Sequence, residues 1–92
     1  MAHKNYIIIE VEFYGVLKKY FKTPLFFSLI IGSSILSLRT ALQYFIEKNM
    51  KEFNESTLLE YSVFSNCSVV LSDSFVLNSD QKLFILPPAS GG

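Results

Sequence analysis

A single stretch of this chain repeats with the period of a helix. From Ile35, apolar residues recur at Leu38, Ala41, Leu42, Phe45 and Ile46, the spacing of one buried helical stripe. Arg39, Gln43, Glu47 and Lys48 fall on the other faces. Ser34 stands where a hydroxyl can accept a bond from an unpaired amide of the first turn. The helix is expected to end near Asn49 or Met50, where Lys48 and Lys51 suit the negative end of its dipole. One apolar stripe must be covered by something, and the rest of the chain offers mainly segments of strand character. A lone helix on one face of a sheet is the layer arrangement that answers this.

The strand segments are short. Residues 6–13 read Y-I-I-I-E-V-E-F, which puts Ile7, Ile9, Val11 and Phe13 on one side and Glu10 and Glu12 on the other. After Gly15, residues 16–21 suggest about one helical turn, ended by Thr23-Pro24. Residues 25–31 read as a second strand closed by Gly32-Ser33, and residues 52–59 as a polar loop. Tyr61, Val63 and Ser65 alternate with Ser62 and Phe64. A turn at Asn66-Cys67-Ser68 leads into a strand at Val69-Val70-Leu71, ended by Ser72-Asp73-Ser74. Phe75-Val76-Leu77 precedes the turn Asn78-Ser79-Asp80, and Leu83 to Leu86 form the last strand before Pro87-Pro88. The expected fold class is α+β: a mixed five-stranded sheet with one main helix on one face. Residues 1–86 form one domain and residues 87–92 an extended tail.

Composition narrows the function classes. With 92 residues, half of them apolar and 15% aromatic, the chain suits one small core and not a disordered segment. Eight basic residues balance eight acidic ones, so no basic surplus points to nucleic acid. The first 51 residues nevertheless carry seven Lys/Arg against three Asp/Glu, and the remainder one against five. One cysteine excludes an internal disulfide, and with one histidine a bound metal is not expected. The longest uncharged run, Thr23 to Leu38, is interrupted by Gly32-Ser33-Ser34 and is shorter than the roughly 20 residues of a membrane helix. No secretory signal is expected in the first residues, since Glu10 and Glu12 follow Tyr6–Ile9 at once, and the cytoplasm is the expected compartment. Cys67 falls in a turn far in sequence from His3, so it has no evident base and reads as an incidental thiol. Asp73 and Asp80 read as turn-forming side chains.

The chemistry is expected at the end of the chain, L-P-P-A-S-G-G. At an average glycine frequency of about 7%, a terminal pair arises by chance in roughly 0.5% of chains. A C-terminal glycine offers one reactive group, its α-carboxylate, which becomes an electrophile only as an acyl-adenylate or thioester. Without a Cβ, glycine passes through a narrow channel to an activating site. Pro87 and Pro88 stiffen the base of the tail, and residues 87–92 reach roughly 20 Å at about 3.3 Å per residue.

These residues resemble a known family, the ubiquitin-like β-grasp sulfur carriers, and most of all the small subunit of molybdopterin synthase (MoaD-type). The resemblance covers nearly the whole chain. It runs through V-E-F-Y-G-V-L-K-K at Val11 to Lys19, S-I-L-S-L-R-T-A-L at Ser34 to Leu42, V-F-S-N at Val63 to Asn66 and L-N-S-D-Q-K-L at Leu77 to Leu83. The ending is its most specific part, because that family often closes in Pro-Pro-x-x-Gly-Gly. The turn Asn78-Ser79-Asp80-Gln81 departs from the more acidic sequence of many relatives.

The resemblance implies a carrier that binds no cofactor and is no enzyme on its own. A ubiquitin-activating-type adenylyltransferase would use ATP to adenylate Gly92, and a persulfide donor would convert it to a thiocarboxylate. The molybdopterin synthase large subunit would receive the tail, in a heterotetramer, and the sulfur would build the molybdopterin dithiolene. Gly91 would give passage, Pro87 and Pro88 direction, and Tyr14, Lys18, Val69 and Leu86 the surface that meets both partners. Two alternatives share the fold. One is a carrier for another acceptor, such as thiamine thiazole, or a ubiquitin-like protein modifier. The other is an interaction module whose tail is never activated.

Overall fold

The computed structural model describes residues 5–54 and 56–88 of the chain. Strand β1 (Tyr6–Phe13) is followed by a 3-10 helix (Gly15–Lys19), β2 (Leu25–Ile30) and α1 (Ile35–Asn49). A short α2 (Ser56–Glu60), β3 (Val63–Ser65), β4 (Val70–Leu71) and β5 (Gln81–Leu86) complete the order. The sheet runs β2-β1-β5-β3-β4. β1 pairs antiparallel with β2 and parallel with β5, so the sheet is mixed, as expected.

The period-two pattern of β1 decides which face is inside. Ile7, Ile9, Val11 and Phe13 are buried, and Tyr6, Ile8, Glu10 and Glu12 lie on the open face. Ile35, Leu38, Leu42 and Ile46 of α1 form one core with Ile7, Ile9, Val11 and Phe13, with Phe64, Leu83 and Ile85 of β3 and β5, and with Leu17 and Phe21. Burying each such side chain stabilises the fold by roughly 1.5–3 kcal/mol relative to exposure. Phe13 and Phe21 stack with ring centroids 4.1 Å apart, which closes the end of the core beside the 3-10 helix.

Helix α1 starts where the Ser34 hydroxyl accepts the Ser37 N–H at 3.2 Å. Two more first-turn amides are taken by the loop before β5: Ile35 N–H by the Phe75 carbonyl at 2.9 Å and Leu36 N–H by Asp73 at 3.0 Å. Phe75–Leu77 therefore caps a helix, with a single bridge from Val76 to Ser34. Asp73 also pairs with Arg39, Nη2 to Oδ1 at 3.0 Å, while Arg39 Nη1 donates to the Ser62 carbonyl at 2.8 Å. Asp80 binds the Ile8 N–H at 2.8 Å and ties its turn to β1.

Several boundaries differ from the sequence reading. Residues 52–59 are not all loop, because α2 begins at Ser56. Leu59 is buried in the core and the Ser62 hydroxyl donates to Leu58 O at 2.7 Å, so tertiary packing holds a turn with few apolar residues. Tyr61 belongs to the turn after α2, Val69 lies outside β4, and β5 begins at Gln81. Among the described residues no helix is long and apolar enough to cross a membrane.

Candidate functional site

Beyond Phe13, the chain leaves β1 while staying tied to β5: Tyr14 N–H donates to the Ile85 carbonyl at 3.2 Å. Gly15 then takes φ +63°, a left-handed conformation that lets the 3-10 helix fold back under the sheet end. Tyr14 thereby lands on the open face beside Phe84, with centroids 5.3 Å apart. Lys18, from the same 3-10 helix, places Nζ 5.8 Å from the Tyr14 ring centroid, a cation–π arrangement.

Strand β3 supplies the other wall. Ser65 lies opposite Phe84, and Val63 opposite Leu86. Cys67 adopts φ +78° in the turn that follows, and its N–H donates to the Ser65 hydroxyl at 3.2 Å. Tyr14, Ser65, Cys67, Phe84 and Leu86 line a shallow cavity of about 210 Å³. Larger clefts of about 470 and 580 Å³ lie around Met50 and Phe53, on lips of Lys48, Lys51 and glutamates, away from the end of β5.

Pro87 leaves β5 over Gly15. An ideal Cβ at Gly15 would stand 2.8 Å from Pro87 Cγ, so the tail base occupies the space that any other residue would need. Inward from the cavity, Lys82 lies 2.9 Å from Glu12 and 3.9 Å from Glu10, with Nζ 5.7 Å from the Phe84 ring centroid. The hydrogen bond to Glu12, then the charge of that carboxylate, holds the Lys82 ammonium above its ordinary pKa.

Of the expected surface residues, the structure brings Tyr14 and Leu86 to one cavity and Lys18 to the Tyr14 ring. Val69 is 56% exposed, with its N–H on the Asn66 side chain, and does not line the cavity. Pro87 and Pro88 continue from β5, half-buried and exposed respectively. Gly91 and Gly92 lie outside the described residues, as do His3 and Met1. Sequence reasoning missed Phe84, Ser65 and Cys67 as cavity residues. Their shared wall comes from the antiparallel register of β3 on β5, and only Phe84, outward-facing by its alternation with Leu83 and Ile85, carried a signal.

The cavity can bind an apolar side chain, since aromatic and aliphatic walls surround a small polar edge. Among the described residues no group of His, Cys, Asp or Glu could hold a metal ion, and no described histidine accompanies the Cys67 thiol.

Compared by sequence, the chain matches no family model and no curated protein. Its structure matches a ubiquitin of Caldiarchaeum subterraneum with TM-score 0.60 and 15% identity, over 95% of this chain and 99% of that one. The HVO 2177 protein of Haloferax volcanii matches with TM-score 0.67 and 10% identity, over 100% of this chain and 92% of its own. SAMP1 from the same organism matches with TM-score 0.60 and 13% identity, over 92% and 99%. At these identities the likeness is one of fold, the ubiquitin-like β-grasp.

Proposed function

We propose that this chain is a ubiquitin-like carrier whose reactive group is the Gly92 carboxylate, acting as the small, sulfur-donating subunit of a molybdopterin synthase. One observation supports this most. The strand that ends in Pro-Pro-x-x-Gly-Gly leaves the sheet beside the Tyr14–Phe84–Leu86 surface, with Pro87 seated over Gly15. A partner docked on that surface would have the tail base at its edge. Beyond Pro87 the chain reaches roughly 16 Å further at about 3.3 Å per residue, enough to enter a buried active site.

In this reading, an adenylyltransferase joins the Gly92 carboxylate to AMP and releases pyrophosphate. The terminal sulfur of a persulfide attacks the acyl carbon and expels AMP. A second thiol cleaves the resulting acyl disulfide, leaving a thiocarboxylate on Gly92 and a disulfide on the donor side. The thiocarboxylate then gives its sulfur to a pterin precursor in the large subunit. Tyr14, Phe84 and Leu86 bind both partners in turn, Lys18 and Val69 flank that contact, Gly91 allows passage, and Pro87 and Pro88 aim the tail. The cytoplasm is the compartment where such partners would be met.

A protein-modifier reading shares the first step and has the structural likeness to a ubiquitin in its favour. The acceptor separates the two. The test is the intact mass after incubation with ATP, a cognate activating enzyme and a sulfur donor. The expected result is a gain equal to one oxygen exchanged for sulfur, abolished by deletion of Gly92. Transfer of that sulfur by a molybdopterin synthase large subunit completes the reading. An isopeptide-linked adduct on another protein would favour the modifier. No gain with a demonstrably active enzyme would leave an interaction module.

A further inference from the structure

The two edges of the sheet are finished differently. β4, at one edge, is only two residues long, Val70–Leu71. β2, at the other, has six residues, L-F-F-S-L-I, and lies within the uncharged run Thr23 to Leu38. Exposed edge strands are ordinarily blunted by charge, proline, bulges or shortness, and β2 has none of these within its span.

The register shows which of its main-chain groups are free. Ile8 is opposite Ser28, and its N–H points away from β2 to Asp80, at 2.8 Å. Ile31 N–H, by contrast, bonds Asn5 O across the pair at 2.8 Å. Odd-numbered residues of β2 therefore bond to β1, and Phe26, Ser28 and Ile30 turn their N–H and C=O groups outward. The Ile30 carbonyl is taken by the amide and hydroxyl of Ser33. The remaining outward groups have no partner among the described residues.

Side chains on both faces of this edge are also incompletely covered. Phe26 and Ile30 are 63% and 59% exposed on the open face. Leu25, Phe27 and Leu29 on the inner face are only half-buried, whereas every inward residue of β1 is buried.

We propose that the β2 edge is a self-association surface, on which a second copy of this chain adds its own β2 antiparallel about a two-fold axis at Ser28. That register fits the free groups. Ser28 exchanges N–H and C=O with Ser28 of the second copy, and each Ile30 N–H reaches the opposite Phe26 carbonyl. Phe26 meets Ile30 on the open face and Phe27 meets Leu29 on the inner face, so the pleat is preserved. No charge opposes its like across the seam, and the zero net charge of the chain adds no long-range repulsion. The contact is isologous and closes at two copies. It leaves the Tyr14–Phe84–Leu86 surface open, and it stands whether or not Gly92 is ever activated. Because β5 runs antiparallel to its counterpart in such a pair, the two tails leave at opposite ends of a ten-stranded sheet.

Sedimentation equilibrium of the full chain tests the proposal. The average mass should rise from 10.5 kDa toward twice that value with concentration. S28K places two ammonium groups face to face at the axis and should weaken association up to about fivefold. Ser28 is exposed, so the fold should survive, and circular dichroism checks this. In a C67S background, S28C should form a disulfide-linked dimer on mild oxidation, because residues directly opposite in such a pair lie about 5.5 Å apart. S74C in the same background should not. A chain that stays monomeric to about 1 mM, or a dimer unaffected by S28K, overturns the proposal. Capture of another protein's strand by a monomeric chain would count against it equally.

Discussion

The open face of the sheet has two apolar ends, divided by the Glu10–Lys82–Glu12 cluster. At the tail end, Tyr14 leans on Phe84, Lys18 covers Tyr14, and the β3 hairpin closes a small cavity. At the β2 end, Tyr6, Ile8, Phe26 and Ile30 present a row of exposed side chains beside an edge whose outward groups, the Ile30 carbonyl apart, have no partner among the described residues. The tail end exposes less apolar side chain than the β2 end, and the two offer different kinds of recognition. The first reads side-chain shape; the second reads backbone and tolerates any neutral side chains that fit the pleat. The charged cluster between them keeps the two apolar surfaces from merging into one patch, which would invite nonspecific association.

This contrast can be broken from either end. The largest effect is expected from Phe84→Ala, which removes the central ring of the tail-end cavity. If the proposed carrier role holds, binding to its activating enzyme should fall by 10- to 100-fold, about 1.4–2.7 kcal/mol, measured by titration calorimetry, while the proposed self-association stays unchanged. Gly15→Ala should come next. It forces a side chain into a left-handed conformation and against Pro87, at a cost of about 1–3 kcal/mol, seen as a lower urea midpoint. On the proposed carrier function, the rate of thiocarboxylation should drop as well, with binding of the body less affected. The smallest effect is expected from Lys82→Met. The Lys82 pKa is raised in the fold, so its ion pair stabilises fully below the ordinary lysine value and loses this as pH rises through the raised one. The variant should melt about a degree lower at neutral pH, and the gap should close in alkaline buffer.

Much of this architecture was legible in the residues. The alternation from Tyr6 to Phe13 gave β1 to the residue, and the stripe with its Ser34 cap gave α1, because each encodes its own burial. Helix α2 was not legible. Its Ser, Thr and Glu have no periodicity, and the turn exists because Leu59 reaches the core and Arg39 reaches the Leu59 and Ser62 carbonyls. The same holds for Asp73 and Asp80. The sequence places each in its own turn, yet one pairs with α1 and the other with β1, across more than 30 residues. Tyr14 and Leu86 could be placed together through family likeness, but the walls from Ser65 and Cys67 required the strand register.

The contact of Pro87 with Gly15 has a consequence of leverage. Gly92 lies five residues past this fulcrum in sequence, so in the proposed carrier, with the tail drawn out in a partner's channel, a few degrees of tilt at the proline would displace the carboxylate by about an ångström. Catalytic groups working on it tolerate displacements of about that size poorly. In the proposed carrier, the aim of the tail would therefore be set at residue 15, a position more than seventy residues upstream, and any side chain added there would press on Pro87 without touching the terminal glycine.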